Sequence, residues 1–469
     1  MEAPPSPGAQ GAKPANMAVT TRCSLDGERA TDTRAVDFGR GAVDRAGALF
    51  ARTFPGTPAL VVADGNTWEA VGEQVTASLA AAGVEVLEPF VFPGRPTLYA
   101  DYSNVVPLRD HLAATSASIC AIGSGTLNDL CKLASGELDR GYLVVCTAAS
   151  QDGYAAFGAS ITRDGFKITR TCPAPAALSV DLDVLAAAPP RLTATGFGDL
   201  IEKVPAGADW VVADELGIEP IDQAVWNLVQ PPLRGALSDP AGLAAGDLTA
   251  VGRLAEGLVM SGLAMQAHQS SRPASGAGHN FSHQWEMEGH GLDWEPPLSH
   301  GMKVGLGTVA MCALFSVVRS YDLSGVDPDE RAAHWLTPEQ DDARVRALHT
   351  VPVIAEAAAG QSRGKYVPVA AAAERVRAIK RAWPAILARI EPLLITADEA
   401  AGMLRAVGGV YHPQQIGVSM RRLRQTYYQA QTIRSRYTVL DLLWEVGLLD
   451  DTVTSLFAPG GYWADHPEP

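Results

Sequence analysis

The stretch SICAIGSGTLNDLCK, residues 118–132, indicates the fold. Its first residues form a short apolar run, which is typical of a buried strand in a parallel sheet. A glycine-containing turn follows, and then the helical pattern of LNDLCKLAS. A strand, a tight turn and a helix in direct succession predict a βαβ unit.

The same alternation continues on both sides of this stretch. Strand candidates are ALVVAD (59–64), VEVLEPFVF (84–92) and GYLVVCTA (141–148), and helix candidates are TWEAVGEQVTASLAAAG (67–83) and LRDHLAATSA (108–117). Strands that alternate with helices predict an α/β domain of Rossmann-like type, with a parallel sheet between two helix layers. Ligands of such sheets bind at the carboxyl ends of the strands.

The pattern changes at the Pro189-Pro190 pair. Long amphipathic helical patterns follow, among them LTAVGRLAEGLVMSGLAMQA (248–267) and RSRYTVLDLLWEVGLL (434–449). The start of the chain is instead rich in Pro, Gly, Ala and Ser, a composition that cannot form a core. We therefore expect a disordered tail at 1–33, a dinucleotide-binding α/β domain at 34–188 and an all-α domain at 189–469.

The bulk composition excludes several classes of protein. The net charge of −15 over 469 residues disfavours nucleic acid as a partner, because phosphates require a basic surface. Six cysteines without metal-type or CxxC spacing predict reduced thiols in a cytoplasmic protein. No uninterrupted apolar run is long enough to predict a membrane span, and the first residues lack the apolar region of a signal peptide.

Two features suggest a nucleotide site, and each has a simpler alternative. Gly123 and Gly125 lie between a strand and a helix, where a backbone free of side chains can approach a phosphate. The alternative is an ordinary tight βα turn. Asp64 ends the first strand of the alternating pattern, where a carboxylate could bind ribose hydroxyls or could simply cap the next helix.

Histidines suggest a metal site. In GAGHNFSHQWE (276–286), His279 and His283 lie four residues apart and so on one face of a helix, and His300 begins another apolar run. Asp199 lies between glycines in TGFGDLIEK (195–203) and, taken alone, is expected to be a helix N-cap. Three histidines with an aspartate could hold a catalytic metal, or could be polar residues that are satisfied in other ways.

Several segments together resemble a known family. They are GSGTLNDLCK (123–132), TAASQDGYAAFGASI (147–161), GFGDLIEKVPAGADWVVADELG (196–217), RPASGAGHNFSHQWEM (272–287) and SHGMKVGLGT (299–308). They are similar, in this order, to segments of the sn-glycerol-1-phosphate dehydrogenases. These enzymes belong to the superfamily of glycerol dehydrogenase, iron-type alcohol dehydrogenase and dehydroquinate synthase. The segment IRSRYTVLDLLWEVGLL (433–449) resembles the bacterial branch.

The resemblance implies a dehydroquinate synthase-like fold and a role for individual residues. Asp199, His279 and His300 match metal ligands of the family. His283 and Asp152 match substrate-contacting positions, so His283 is not counted as a ligand. Asp199 is expected to contact the substrate as well as the metal. All five residues form the implied catalytic set. The implied cofactor contacts are Gly123, Ser124, Gly125, Thr126, Leu127, Thr147, Ala148, Ala149, Ser150 and Ala156. Asp64 is a further candidate, from its position at the end of a strand and not from the resemblance. Ala156 stands where a serine is often found, and the GSG turn stands where many relatives have three glycines.

The implied activity is reversible reduction of dihydroxyacetone phosphate to sn-glycerol 1-phosphate. It would use NAD(H) or NADP(H) and one divalent metal, zinc or nickel, in a cytoplasmic homodimer. The alternatives are a related polyol or polyol-phosphate dehydrogenase and a catalytically silent cofactor-binding protein. The proton donor stays open between His283, Asp152 and a water molecule. Lys203 and Arg272 are candidates for binding the substrate phosphate, with surface salt bridges as the alternative reading.

The residues around Asp64 also predict a cofactor preference. A carboxylate there would repel the 2′-phosphate of NADPH, and no arginine accompanies it in VVADGNTWEA (61–70). The sequence therefore predicts that NADH is favoured over NADPH.

Overall fold

The computed structural model describes residues 32–163 and 166–469. Its strands all precede residue 182: β1 (Ala35–Gly39), β2 (Ala59–Asp64), β3 (Phe90–Phe92), β4 (Ser118–Gly123), β5 (Tyr142–Cys146), β6 (Ala159–Arg163), β7 (Phe166–Arg170) and β8 (Ala177–Asp181). Six of them form one parallel sheet in the order β1-β8-β5-β4-β2-β3. The other two, β6 and β7, form an antiparallel hairpin.

The order of the strands creates a switch point between β2 and β4. From β2 the chain moves outward to β3, and from β4 it moves the other way to β5. The connections after β2 and β4 therefore leave in opposite directions and open a crevice at the carboxyl ends of these neighbouring strands. In open α/β sheets this crevice is where ligands bind.

Helices cover both faces of the sheet. The helices of this half are α1 (Ala46–Thr53), α2 (Gly65–Thr67), α3 (Glu73–Ala81), α4 (Tyr102–Ala113), α5 (Gly125–Gly136) and α6 (Leu182–Ala187), with a π-helical turn at Trp68–Gly72. Alternate residues of β2 divide between two apolar clusters: Leu60 and Val62 pack with α4 and α5, and Val61 and Ala63 pack with α1 and α3. A strand buried on both faces needs apolar residues on both, as the run ALVVAD provides.

From Pro190 onward the described chain is helical. The helices are α7 (Pro190–Ile201), α8 (Lys203–Glu215), α9 (Gln223–Ala236), α10 (Pro240–Ala244), α11 (Leu248–His268), α12 (Ala277–Met287), α13 (His300–Val318), α14 (Pro328–Ala333), α15 (Pro338–Leu348), α16 (Pro352–Arg363), α17 (Ala372–Ile390), α18 (Ala397–Ala406), α19 (Met420–Thr432), α20 (Val439–Val446), α21 (Leu449–Phe457) and α22 (Tyr462–Asp465). Helix α13 is apolar on all sides and lies at the centre of this half, packed between α7, α12 and α18.

Two helices of the described chain are long and apolar enough to cross a membrane by length and composition. They are Leu248–His268 and His300–Val318, and 61% and 83% of their respective 18-residue apolar windows are buried inside the protein. Burial of this extent is what the core helices of a helical domain require, so neither helix indicates a membrane span.

The structure differs from the sequence-based expectations in several places. The predicted strand 84–92 is reduced to Phe90–Phe92, because Glu88 and Pro89 interrupt the run and Val86 makes only an isolated bridge with Ala59. Strands β1 and β8 and the β6–β7 hairpin were not predicted. The predicted tail lies outside the described residues except for Asp32 and Thr33, which bond to Ala174 and Pro175.

Candidate functional site

Three predicted metal ligands come together from three different helices. Asp199 lies near the end of α7, His279 in the first turn of α12, and His300 at the first position of α13. One ligand atom from each lies within 4.8 Å of the other two. Asp199 is therefore not an N-cap, as its isolated pattern predicted; its carboxylate instead bonds to Nε2 of His279 at 3.2 Å.

Close contacts between helix backbones allow this convergence. A Cβ atom on Gly301 would lie 1.9 Å from the carbonyl oxygen of Thr195, so α13 can approach α7 only because this residue is glycine. In the same way, a Cβ on Gly307 would lie 2.2 Å from the carbonyl oxygen of Gly278 in α12. Glycines at these crossings place the three ligand-bearing helices within bonding range of one another.

Two glutamates orient the histidines. Nδ1 of His279 lies 2.7 Å from Glu202, and Nδ1 of His300 lies 2.8 Å from Glu286. Glu202 also accepts the backbone N–H of His279, so it holds both the ring and its helix turn. A histidine whose Nδ1–H is donated to a carboxylate presents Nε2 as an electron pair, which is the usual arrangement at a metal site.

The charges around these histidines fit a divalent cation. Burial alone would lower the pKa of His279, but Glu202 and Asp199 raise it to about 9. Burial likewise opposes ionisation of Asp199, yet Lys203 and His279 hold its pKa well below the usual range. The raised pKa of His279 and the lowered pKa of Asp199 both indicate that the site favours positive charge between its carboxylates. One aspartate oxygen and two imidazole Nε2 atoms are a donor set that suits zinc, nickel and several other divalent ions.

His283 lies beside this cluster without belonging to the same triad. Its ring centroid is 6.1 Å from that of His279 and 5.6 Å from that of His300, and its side chain is 25% exposed. A second possible ligand group combines His283, Glu286 and His300. Glu286, however, already accepts a hydrogen bond from Nδ1 of His300, so we regard it as a supporting residue. Burial and the charge of Arg434 lower the pKa of His283 well below its usual value.

A buried lysine links the metal cluster to the sheet half. Nζ of Lys203 lies 2.7 Å from Asp152 and 3.2 Å from Asp199, and the backbone N–H of Asp152 donates to Asp199. Lys203 is fully buried, so the surface salt bridge considered from the sequence is wrong. Arg272 is also buried and donates to the carbonyl oxygens of Tyr437 and Asp209. Both cations are thus already engaged by protein atoms.

The predicted cofactor residues surround the crevice at the carboxyl end of the sheet. Gly123 ends β4, Ser124 is the N-cap of α5 without a side-chain capping bond, and Gly125 begins the helix with Thr126 and Leu127. Thr147, Ala148, Ala149 and Ser150 directly follow β5 and are buried. Ala156 lies in the next loop, where Nζ of Lys132 bonds the carbonyl oxygens of Gly153, Ala156 and Gly158.

An unsatisfied donor in this crevice fits a bound dinucleotide. The side chain of Gln151 lies against Gly125, where an added Cβ would be 3.4 Å from its Nε2 atom. That Nε2 atom is buried and has no hydrogen-bond partner in the described structure. Buried donors are rarely left unpaired, so a phosphate or ribose oxygen beside the glycine turn would complete it.

Asp64 caps helix α2, which is one of the two roles that the sequence allowed for it. Its Oδ1 atom accepts the N–H groups of Asn66 and Thr67, and Thr67 completes a capping box. Sequence reasoning missed Glu202, Glu286, Lys132 and Gln151, because no local pattern relates these residues to their distant partners. Only the carboxylate in GAGHNFSHQWE gave a signal, as Glu286 follows His283 by three residues.

The chain is similar in sequence to proteins of known family. Residues 37–189 match the family model described as iron-containing alcohol dehydrogenase. A glycerol-1-phosphate dehydrogenase (NAD(P)+) from Halalkalibacterium halodurans is 38% identical over 256 residues, which are 54% of this chain and 64% of that protein. The enzyme of the same name from Pyrococcus horikoshii is 32% identical over 240 residues, 47% of this chain and 68% of that protein.

The fold has solved counterparts. Glycerol dehydrogenase from Schizosaccharomyces pombe superposes with a TM-score of 0.56 at 16% identity, and the match covers 89% of both chains. This likeness concerns the architecture of a parallel-sheet half followed by a helical half. Together with the sequence matches, it shows that the chain belongs to the glycerol-1-phosphate dehydrogenase family.

Proposed function

We propose that this protein catalyses the reversible reduction of dihydroxyacetone phosphate to sn-glycerol 1-phosphate with NADH or NADPH, with one divalent metal, zinc or nickel. The observation that carries the proposal is the triad of Asp199, His279 and His300, whose histidines are each backed by a glutamate. The matched relatives are named for this activity. A cytoplasmic homodimer is part of the proposal.

The metal would be held by Asp199, His279 and His300, and the dinucleotide by the loops after β2, β4 and β5. When bound, the metal supplies a Lewis acid for the substrate carbonyl and the nicotinamide supplies the hydride. The protein supplies orientation. Glu202 and Glu286 keep the two imidazoles in one tautomer, and Lys203 holds the Asp152 loop against Asp199.

The reduced carbonyl oxygen must also receive a proton. We assign its delivery to His283, because this ring lies beside His279 and His300, with centroids 6.1 and 5.6 Å away, but does not belong to the triad. Asp152 is less available, since its Oδ2 atom already binds Lys203 and Ser261. General acid–base transfer by a positioned side chain contributes about 10²–10⁴-fold to such reactions.

The test measures NADH oxidation with dihydroxyacetone phosphate before and after removal of metal by a chelator. We expect turnover to be lost on chelation and restored by zinc or nickel. The product should not be oxidised by an enzyme specific for sn-glycerol 3-phosphate. Full turnover of protein shown to be metal-free would contradict the proposal. Faster turnover of unphosphorylated dihydroxyacetone would favour the related polyol dehydrogenase.

A further inference from the structure

The carboxylate of Asp64 is only half used by its capping role. Both capping N–H groups, from Asn66 and Thr67, donate to the Oδ1 atom. Its second oxygen has no hydrogen bond elsewhere in the described chain. Asp64 ends β2 at the edge of the crevice between β2 and β4, so this oxygen can face a ligand while the other caps α2. Asp64 can therefore cap α2 with one oxygen and contact a cofactor with the other.

The loop after β3 lies directly against the turn that follows Asp64. In the sheet, Asp64 is paired with Phe92, so the chain leaves both strands at the same level. A Cβ on Gly65 would lie 3.1 Å from the backbone nitrogen of Gly94, and the side-chain amide of Asn66 donates to the Gly94 carbonyl at 3.2 Å. Two glycines facing each other allow these backbones to touch.

The far end of this loop is attached to the helical half. The hydroxyl of Thr97 donates to Glu295 at 2.5 Å, and its backbone N–H donates to the same carboxylate at 3.4 Å. The loop is thus held at Gly94 by the Asp64 turn and at Thr97 by the segment before α13. Arg95 lies between these two attachments.

Arg95 is a cation without a partner. It is exposed, and within the ranges 32–163 and 166–469 its guanidinium makes no hydrogen bond or ion pair. It follows Gly94 in the chain, one residue from the contact with Gly65 and Asn66. A flexible arginine side chain anchored there can reach the space beside the Asp64 carboxylate. No local sequence window around Asp64 contains this residue.

We propose that Arg95 and Asp64 together form the part of the cofactor site that binds the adenosine ribose of NADH or NADPH. Asp64 accepts hydrogen bonds from the ribose hydroxyls of NADH, and Arg95 binds the 2′-phosphate of NADPH. Arginine suits this role because its planar fork pairs with phosphate oxygens in a bidentate manner. Arg95 thereby offsets the repulsion that Asp64 alone would impose, so the protein accepts both cofactors with comparable affinity.

This inference rests on the proposed function, because it presupposes a dinucleotide in the crevice. It alters the expectation from the sequence, which was a preference for NADH based on the absence of an arginine in VVADGNTWEA. That expectation considered only neighbours along the chain. The parallel pairing of β2 with β3 adds a cation from a different loop.

The test compares dissociation constants of NADH and NADPH by fluorescence titration of the purified protein, without substrate. Arg95→Gln should weaken NADPH about tenfold or more, the loss expected for a charge-assisted phosphate contact worth roughly 1.4 kcal/mol. NADH binding should stay within about twofold. Asp64→Asn, which retains a good helix cap, should tighten NADPH binding instead, because it removes the carboxylate that repels the 2′-phosphate.

Arg52→Gln is the matched control. Arg52 is also an exposed arginine of the sheet half, but it lies in the last turn of α1, before β2 and so near the amino ends of the strands. It should change neither constant. Unchanged NADPH affinity in Arg95→Gln, or an equal loss for both cofactors, would overturn the inference. Failure of the wild-type protein to bind either cofactor would instead overturn the proposed function.

Discussion

At the scale of single residues, the site depends on which nitrogen of each histidine is left free. Glu202 and Glu286 engage the Nδ1 atoms of His279 and His300, which leaves the Nε2 atoms free, and Nε2 of His279 lies 3.2 Å from Asp199. Such supporting carboxylates affect metal affinity by about 10–100-fold in known sites. The distinction between His279 and His283 follows from the same contacts.

Replacement of these two histidines by alanine should have different effects on metal content. His279→Ala removes one ligand of the triad and should leave the purified protein with little bound metal. His283→Ala leaves the triad complete and should retain the metal while it loses turnover. Metal content per chain, measured by elemental analysis beside turnover, separates the two results.

His290→Ala is the control for this pair, since its Nε2 bonds to the Ile416 carbonyl away from the triad. It should retain both metal and turnover. Loss of metal in the His283 variant with retention in the His279 variant would show that the ligand set is His283, Glu286 and His300 instead. Equal loss of metal in both variants would contradict the assignment of His283 as a substrate contact.

At the scale of elements, α12 is fixed in place by neighbours on two sides. Its first turn donates backbone N–H groups to Glu202 and to Asp209, whose other oxygen accepts the N–H of Val439 at the start of α20. On the other side, the indole of Trp285 donates to Thr426 in α19. Helix α19 in turn contacts α15 through His349, which caps the end of α15 and bonds to Thr432.

The contact between α15 and α19 predicts a loss of stability in mild acid. Burial, with a contribution from Arg422, lowers the pKa of His349 from its ordinary value of 6.5 to about 4. Between about pH 6.5 and 4, His349 is therefore protonated in the unfolded chain but neutral in the folded chain. Stability is full above this window and falls as pH falls through it, by about 2 kcal/mol between pH 7 and 5.

This contribution can be isolated by urea unfolding of the wild type and His349→Gln at pH 7 and pH 5. The variant cannot take up the proton, so its stability should fall by about 2 kcal/mol less over the same interval. Comparing the changes with pH cancels any direct effect of the substitution. An identical pH dependence in both proteins would rule out a neutral buried His349.

At the scale of the whole molecule, the site is shared between the sheet half and the helical half. A Cβ on Gly196 of α7 would lie 1.9 Å from the carbonyl oxygen of Ala149, so the cofactor loop and the helix of Asp199 are in backbone contact. Asp152 and Lys203 extend this contact to the metal triad. The predicted cofactor loops and the predicted metal ligands therefore meet at one interface inside the protein.

The first residues should lie outside this arrangement. Removal of residues 1–30 should leave the melting temperature and the turnover essentially unchanged, because their composition cannot contribute a core. Asp32 and Thr33 are retained, since they bond to the segment before β8. Thermal unfolding and turnover of the shortened chain test this, and a marked drop in either would show that the tail binds the folded body.

Local patterns were enough to predict much of the molecule. Alternating apolar runs and glycine turns predicted the parallel sheet, because the periodicity of a strand or a helix depends only on residues that are close together in the sequence. The family motifs predicted the triad of Asp199, His279 and His300, which the structure brings within 4.8 Å. They did not indicate the inner position of Asp199 in α7, because flanking glycines resemble a cap and here instead permit helix contact.

The sequence by itself determined the layers of the fold and the residue types of the proposed metal and cofactor site. Only the tertiary structure decided which groups support them. Glu202 behind His279, Lys203 between Asp152 and Asp199, and Arg95 beside the Asp64 turn all depend on contacts between separate elements. The structure also shows that Lys203 is not a surface charge but is buried, where it binds Asp152 and Asp199. Such contacts arise from helix crossings and strand order, which no pattern along the chain specifies.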